Sequence, residues 1–236
     1  MTLKKILFSL FAFASVITSS NAADQSTGIK EGVTSPLPMN GMVAAVKNGK
    51  LAFVSDNGRF VFQGTVYDTW SQKNIESLRD AEVAYKTIDI KKTKFRVDDL
   101  NPLTVGSGDK TVIIFTDPFC PSCHVLLDDV KRVEGYTFKI VYVPLMGDES
   151  SKVVRAMQCI KDRESALEVM LGNAKPQSIV GKSETPACDT SPIAKRIVSA
   201  HMFGIKGVPF MIRDDGLIRL GYDKGGLNKW LSAPGI

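Results

Sequence analysis

The chain lacks most of the features that would assign it to a membrane, a nucleic acid or a metal. Beyond its first twenty residues no stretch is long and apolar enough to span a bilayer, which takes about 20 residues as a helix. Charge is nearly balanced, with 30 Lys and Arg against 25 Asp and Glu, and no basic cluster is dense enough to grip nucleic-acid phosphates. No segment repeats. Only two histidines, His124 and His201, and four cysteines, Cys120, Cys123, Cys159 and Cys188, are present. That scarcity argues against zinc. Cys120 and Cys123 supply half a site, Cys159 and Cys188 are too far apart in sequence to supply the other half, and His201 is isolated. No metal and no cofactor is expected.

What is present begins at the N-terminus. Lys4 and Lys5 precede an apolar run from Ile6 to Ile17, and Ser20-Asn21-Ala22 offers small residues for cleavage. This reads as a secretory signal peptide over residues 1–22, cleaved near Ala22. Its removal leaves 28 cations against 25 acids, a net charge of +3. Export places the chain in an oxidising compartment where disulfides persist. Four cysteines allow three pairings; the short spacing favours Cys120 with Cys123, which leaves Cys159 with Cys188. A bridge between the latter two would close a loop of about 30 residues and stabilise by about 3.6 kcal/mol through lost chain entropy, a structural role.

The stretch richest in chemistry is Phe119-Cys120-Pro121-Ser122-Cys123-His124, which follows the β-branched run Thr111 to Thr116. An apolar strand stops at a turn, and a C-x-x-C then opens a helix. Cys120 falls at the N-cap or first helical position, and Pro121 suits the first turn because its missing N–H is one the helix cannot use. Free backbone N–H groups and the helix dipole then favour a thiolate, and such thiols titrate at about 3.5–7.5 rather than near 8.5. Cys120 is therefore the expected attacking thiolate. Cys123, one turn on and more buried, is the expected resolving partner. Ser122 can offer its hydroxyl to the sulfur, and His124 adds positive charge nearby when protonated. C-x-x-C-H also attaches c-type haem, but a haem site does not need a strand–turn–helix frame. A purely structural disulfide over so tight a loop would add little. The second feature is Gly207-Val208-Pro209-Phe210. In many thiol oxidoreductases a cis proline faces the C-x-x-C, and the residue before it pairs with a substrate strand. The C-x-x-C and the hairpin that follows Pro209 together make cis the expected state, against an ordinary trans proline opening an edge strand.

Around these motifs, residues 24 to 40 read as a loosely ordered lead-in. Met42 to Val46, Lys50 to Val54 and Arg59 to Phe62 read as short strands separated by Asn48-Gly49 and Asn57-Gly58, with Val66-Tyr67 ending a further one. Such a sheet is too small to stand alone and needs a partner surface. Asn74 to Lys86 reads as a linker helix capped by Ser71 or Asn74. Thr111 to Thr116 (strand), Pro121 to Val133 (helix), Thr137 to Val143 (strand), Lys152 to Leu171 and Pro192 to Met202 (helices), a hairpin around Asp214-Asp215-Gly216 and a helix from Leu227 to Leu231 follow. That order is an α/β one, a thioredoxin-like domain with extra helices inserted after its second strand. The expected units are 23–68, 69–93 as linker helix and connection, and 94–236 as the catalytic domain.

At these residues the chain resembles the bacterial periplasmic disulfide isomerases of the DsbC/DsbG family. Gly49 to Gly58 and Val61 to Asp68 resemble the family's N-terminal dimerisation domain. Phe115-Thr116-Asp117 with Cys123-His124 resembles DsbC, and Asp117-Pro118-Phe119-Cys120-Pro121 resembles DsbG. Cys159 and Cys188 stand where DsbC carries its structural disulfide. The resemblance implies a periplasmic homodimer whose cleft holds misfolded exported proteins, kept reduced by a membrane reductase of the DsbD type, with no nucleic-acid partner. Pro121-Ser122 matches neither relative, and Val208 replaces their usual Thr and is more typical of the oxidase DsbA. A DsbG-like reductase of sulfenylated cysteines, or a dithiol oxidase, is the alternative, and chaperone-like holding of unfolded chains the third reading.

Overall fold

The computed structural model describes residues 34–47, 49–182 and 188–235. The expected signal peptide and its cleavage site near Ala22 lie outside the described residues, as do most of the lead-in and Asn48 of the first hairpin turn.

The N-terminal part is a four-stranded antiparallel sheet in the order β1 (Thr34–Pro36), β2 (Met42–Lys47), β3 (Lys50–Ser55) and β4 (Val61–Phe62). The lead-in is thus ordered from Thr34, because residues 34–36 pair with Val43 to Ala45. The Asn57-Gly58 turn closes as its sequence predicts: Asn57 Oδ1 accepts from the Arg59 N–H at 3.0 Å and from the Ser55 hydroxyl at 2.8 Å. Strands β5 (Val66–Asp68) and β6 (Lys73–Ile75) form a separate antiparallel ribbon. Helix α1 therefore covers only Leu78–Lys86 rather than starting at Asn74, since Lys73 to Ile75 are taken up by pairing with β5. Its cap is Ser77, neither Ser71 nor Asn74. Ser77 Oγ accepts from the Asp80 N–H at 3.1 Å, while Asp80 accepts from the Ser77 hydroxyl and the Glu76 N–H, a reciprocal capping arrangement. Leu37, Ala44, Phe53, Ile75 and Ala81 form the small core beneath.

The chain then meets the second unit through main chain. Ile88 donates its N–H to the Gly216 carbonyl at 2.8 Å, and Thr87 bridges Leu217. Gly216 has φ +91°, and a Cβ there would lie 2.8 Å from the Ile88 oxygen, so this junction needs glycine.

The second unit is built on a five-stranded sheet in the order β11 (Ile218–Leu220), β10 (Phe210–Arg213), β8 (Lys110–Thr116), β9 (Tyr136–Tyr142), β7 (Leu103–Val105). Strands β8 and β9 are parallel and the other pairs antiparallel. Strand β7 lies in a region whose sequence shows no clear pattern. Alternate residues of β8 serve opposite faces: Val112 and Ile114 join the core with Leu126, Phe138 and Met157, and Ile113 and Phe115 the one with Phe203, Phe210 and Ile212. Both faces are covered, which explains why the run is apolar throughout. Helix α2 (Pro121–Val130) stops three residues short of the expected end. The expected single helix over 152–171 is two, α3 (Asp148–Cys159) and α4 (Arg163–Met170), because Ile160 turns extended and Asp162 caps α4, accepting from the Glu164 N–H at 3.0 Å. Helices α5 (Ser191–Met202) and α6 (Leu227–Leu231) complete the layers. Trp70, ahead of α1, stacks edge-on against Phe203, so the N-terminal part also packs on this core.

Candidate functional site

Strand β8 ends at Thr116, and the next four residues deliver Cys120 to the start of α2. Asp117 makes that turn. Its carbonyl accepts from the Cys120 N–H at 3.0 Å and its Oδ1 from the Phe119 N–H at 2.8 Å. The Asp117 side chain is fully buried, and Oδ2 accepts from the Leu145 and Met146 N–H groups and the Ser150 hydroxyl at 2.7, 3.0 and 2.6 Å. Four donors thus converge on the two carboxyl oxygens, which offsets the cost of burying this polar group.

Cys120 is the N-cap of α2 and Pro121 the first helical residue. Cys120 and Cys123 are joined as a disulfide with Cα atoms 5.2 Å apart. The Cys120 sulfur accepts from the Cys123 N–H at 3.2 Å and from the Ser122 hydroxyl at 3.3 Å; a disulfide sulfur has no hydrogen, so the hydroxyl must be the donor. Two donors therefore point at the Cys120 sulfur. Cys120 is 4% exposed and Cys123 0%, so Cys120 is the residue of the pair that keeps contact with solvent.

The second motif meets the first across the sheet. The Val208–Pro209 peptide bond is cis. The Val208 carbonyl oxygen lies 3.5 Å from Cys120 Sγ, and the Pro209 carbonyl accepts from the Gly221 N–H at 2.8 Å. Pro209 is buried and Val208 half-buried. The structure thus brings together Cys120, Pro121, Ser122, Cys123, Val208 and Pro209. His124 stays on α2 but its ring turns to main chain, with Nε2 2.9 Å from the Pro118 oxygen and Nδ1 3.1 Å from the Met170 oxygen, not to the sulfur. Cys159 and Cys188 are paired with each other and end α3 and the segment before α5.

Sequence reasoning gave no role to Asp117 or to the far end of α2. There Asp129 accepts from the Tyr222 hydroxyl, from the Gly225 N–H at 2.9 Å and from Arg132 at 2.6 Å. The Tyr222 hydrogen bond, first among these, pulls the Asp129 carboxyl down to about 2, while burial and then Asp129 push the Tyr222 phenol up to about 12. The only early signal for Asp117 is a carboxylate directly after a buried strand. A cavity of about 470 Å³ between β6, α1 and Asp215 touches none of the site residues. No helix among the described residues is long and apolar enough to cross a membrane.

A redox disulfide at a helix start, a cis proline across from it and a central sheet with helices on both faces define a thioredoxin-fold thiol-disulfide oxidoreductase. A model of the thioredoxin-like domain matches residues 103–231, and one of the disulfide bond isomerase protein N-terminal domain matches residues 20–77. The chain is 25% identical over 226 residues to the thiol:disulfide interchange protein DsbC of Escherichia coli strain K12, covering 92% of this chain and 89% of that one. It is 23% identical over 244 residues to DsbC of Dickeya dadantii, covering 94% and 91%. Among solved structures, a disulfide interchange protein from Neisseria gonorrhoeae is similar at 20% identity and a TM-score of 0.49, over 58% of this chain and 96% of that one. The chain belongs to the thioredoxin-like domain family and, within it, to the DsbC family of thiol:disulfide interchange proteins.

Proposed function

We propose that this protein reshuffles wrong disulfides in exported proteins, with Cys120 as the nucleophile. In the reduced protein the Cys120 thiolate attacks one sulfur of a client disulfide. A mixed disulfide forms and the client's other sulfur leaves as a thiolate. That client thiolate then attacks elsewhere in the client, and a further client thiolate displaces Cys120, so no net electrons move. If no client thiol resolves the bond, Cys123 attacks Cys120 Sγ, the client leaves reduced, and the Cys120–Cys123 disulfide must be reopened by a dithiol donor, for which a membrane reductase of the DsbD type is the family's precedent. The observation that carries this reading is Cys120 at the N-cap, with the Cys123 N–H and Ser122 hydroxyl on its sulfur and the Val208 carbonyl alongside.

The N-terminal sheet supports a homodimer. Its edge strand β4 exposes Val61 and Phe62, and Phe60 beside them, each 52% exposed, an apolar edge that has no partner strand among the described residues and that a second copy would cover. The matched N-terminal family model and the signal-like leader support a periplasmic location. Refolding of a scrambled multi-disulfide protein tests the proposal. The native chain should restore activity and Cys120→Ala should not; equal recovery with both sinks it. Trapping with Cys123→Ala separates the alternative: clients with several cysteines fit an isomerase, single-cysteine clients a DsbG-like reductase of sulfenic acids, to which Asp117-Pro118-Phe119 lends support, whereas Val208 favours the dithiol oxidase. Aggregation suppression that survives Cys120→Ala would mark a chaperone-like function beside the thiol chemistry.

A further inference from the structure

His124 follows the C-x-x-C directly, yet both of its ring nitrogens are spent on main chain from two different elements. Nε2 lies 2.9 Å from the carbonyl oxygen of Pro118, in the turn that delivers Cys120. Nδ1 lies 3.1 Å from the carbonyl oxygen of Met170, the last residue of α4. The two contacts are hydrogen bonds together only when both nitrogens carry hydrogen, the imidazolium form; either neutral tautomer leaves one oxygen facing a bare nitrogen. Gly172 closes over the ring. A Cβ at that position would lie 3.3 Å from Nδ1, and its φ of +75° suits glycine.

We infer that His124 is a positioning residue for the thiol chemistry: it pins the Pro118 carbonyl to the end of α4, and so holds the Asp117–Cys120 turn where Cys120 Sγ meets the Cys123 N–H. The inference rests on Cys120 being the nucleophile proposed above. The inner side of the turn is fixed by Asp117, which ties it to the Leu145–Ser150 segment. The outer side is fixed by the His124 ring, which ties it to the helical insertion. When the Cys120–Cys123 bond is reduced, the covalent link that also holds Cys120 is gone. A thiolate then keeps its N–H donor only while the turn stays in place, because such stabilisation falls off steeply with distance and angle. Loosening the outer attachment therefore makes Cys120 less acidic and removes stabilisation from the dithiol form. The equilibrium moves toward the disulfide.

Two variants test this. His124→Phe keeps an aromatic ring and deletes both ring nitrogens; Gly172→Ala keeps His124 and crowds its ring. The equilibrium constant of the 120–123 pair against glutathione and the alkylation rate of reduced Cys120 at pH 7 are measured, with thermal unfolding in parallel. Both variants should shift the equilibrium about tenfold toward the disulfide, equivalent to about 30 mV, and slow alkylation to match. Values within twofold of the native chain overturn the inference, including the case where the melting temperature falls but the folded protein keeps its thiol chemistry. If His124→Phe does not fold, Gly172→Ala decides alone. Failure of the parent reading is separate: there Cys120→Ala would still refold scrambled protein, while these constants remain measurable.

Discussion

Asp117 and Ser150, 33 residues apart, are joined by a 2.6 Å hydrogen bond between two side chains both sealed from solvent. The same carboxylate holds the turn before Cys120 on its other oxygen. The redox turn is thus tied to the start of α3 through one buried acid.

This makes Asp117 sensitive to two different substitutions. Asp117→Ala leaves four donors without an acceptor and should cost about 2–4 kcal/mol in urea unfolding, since each buried unsatisfied group costs about 1–3 kcal/mol and water can recover part. Asp117→Asn should cost less, about 1–2 kcal/mol. Its oxygen will take the Oδ2 position with three donors, and its NH2 will then face the Phe119 N–H. Equal costs for the two variants would show that the Oδ2 contacts carry no weight.

The Asp129–Tyr222 pair gives a pH signature. The Asp129 carboxyl is held at about 2, below the unfolded value near 3.8, so its contribution is complete above about pH 4 and is lost as pH falls through 2. The Tyr222 phenol is held at about 12, so its contribution is complete below about pH 10 and is lost as pH rises through 12. Asp129→Asn should destabilise by about 1–2 kcal/mol at pH 7, a figure reduced for the solvent that reaches the carboxylate's edge. The gap to the native chain should close as pH falls toward 2. A gap that stays constant with pH would mean the carboxylate's charge plays no part.

The redox centre was legible because its determinants are local. A β-branched run, a turn, a cysteine and a proline at the first helical position specify strand, N-cap and helix within a dozen residues. The Asn57-Gly58 turn was legible for the same reason. The misread elements depend on distant partners. Lys73 to Ile75 has no strand signature of its own and becomes a strand because Val66 to Asp68 pairs with it. The apolar pattern of residues 152–171 runs through Ile160 unbroken, and only the local capping by Asp162 shows where one helix ends and another begins. His124 and Asp117 each have partners within residues 145–170 besides their local ones, and those distant contacts were invisible in sequence order.

Arg196 belongs to that second group. It is fully buried on α5, with no carboxylate partner among the described residues. Its Nε donates to the Leu100 carbonyl at 2.7 Å and its Nη2 to the Asn101 carbonyl at 2.9 Å and Gln158 Oε1 at 2.7 Å, and the guanidinium lies 3.7 Å from the Tyr142 ring centroid. Burial, the first cause, lowers its affinity for the proton. The planar fork is what reaches three acceptors at once, so Arg196→Lys should cost nearly as much as Arg196→Met, about 2–4 kcal/mol each in denaturant unfolding. A well-tolerated lysine would show that charge rather than fork geometry is needed there.

The Cys159–Cys188 bond is the last feature whose role can be separated by measurement. It joins the end of α3 to the segment before α5, and beside it Gln158 donates through Nε2 to the Asp189 carbonyl at 3.1 Å. Replacing both cysteines by serine opens a loop of about 30 residues, which on the chain-entropy model removes about 3.6 kcal/mol. The Gln158 contact and the Arg196 network survive the change, so the variant should fold and melt at a lower temperature. Its reduced form should still alkylate at Cys120 at the native rate, because the polar contacts of the Cys120 sulfur come from Ser122, Cys123 and Val208, not from α3 or the 188–190 segment. Refolding activity lost well below the melting temperature, with Cys120 reactivity intact, would instead make the second pair a participant in exchange, its sulfurs relaying a disulfide rather than bracing a loop.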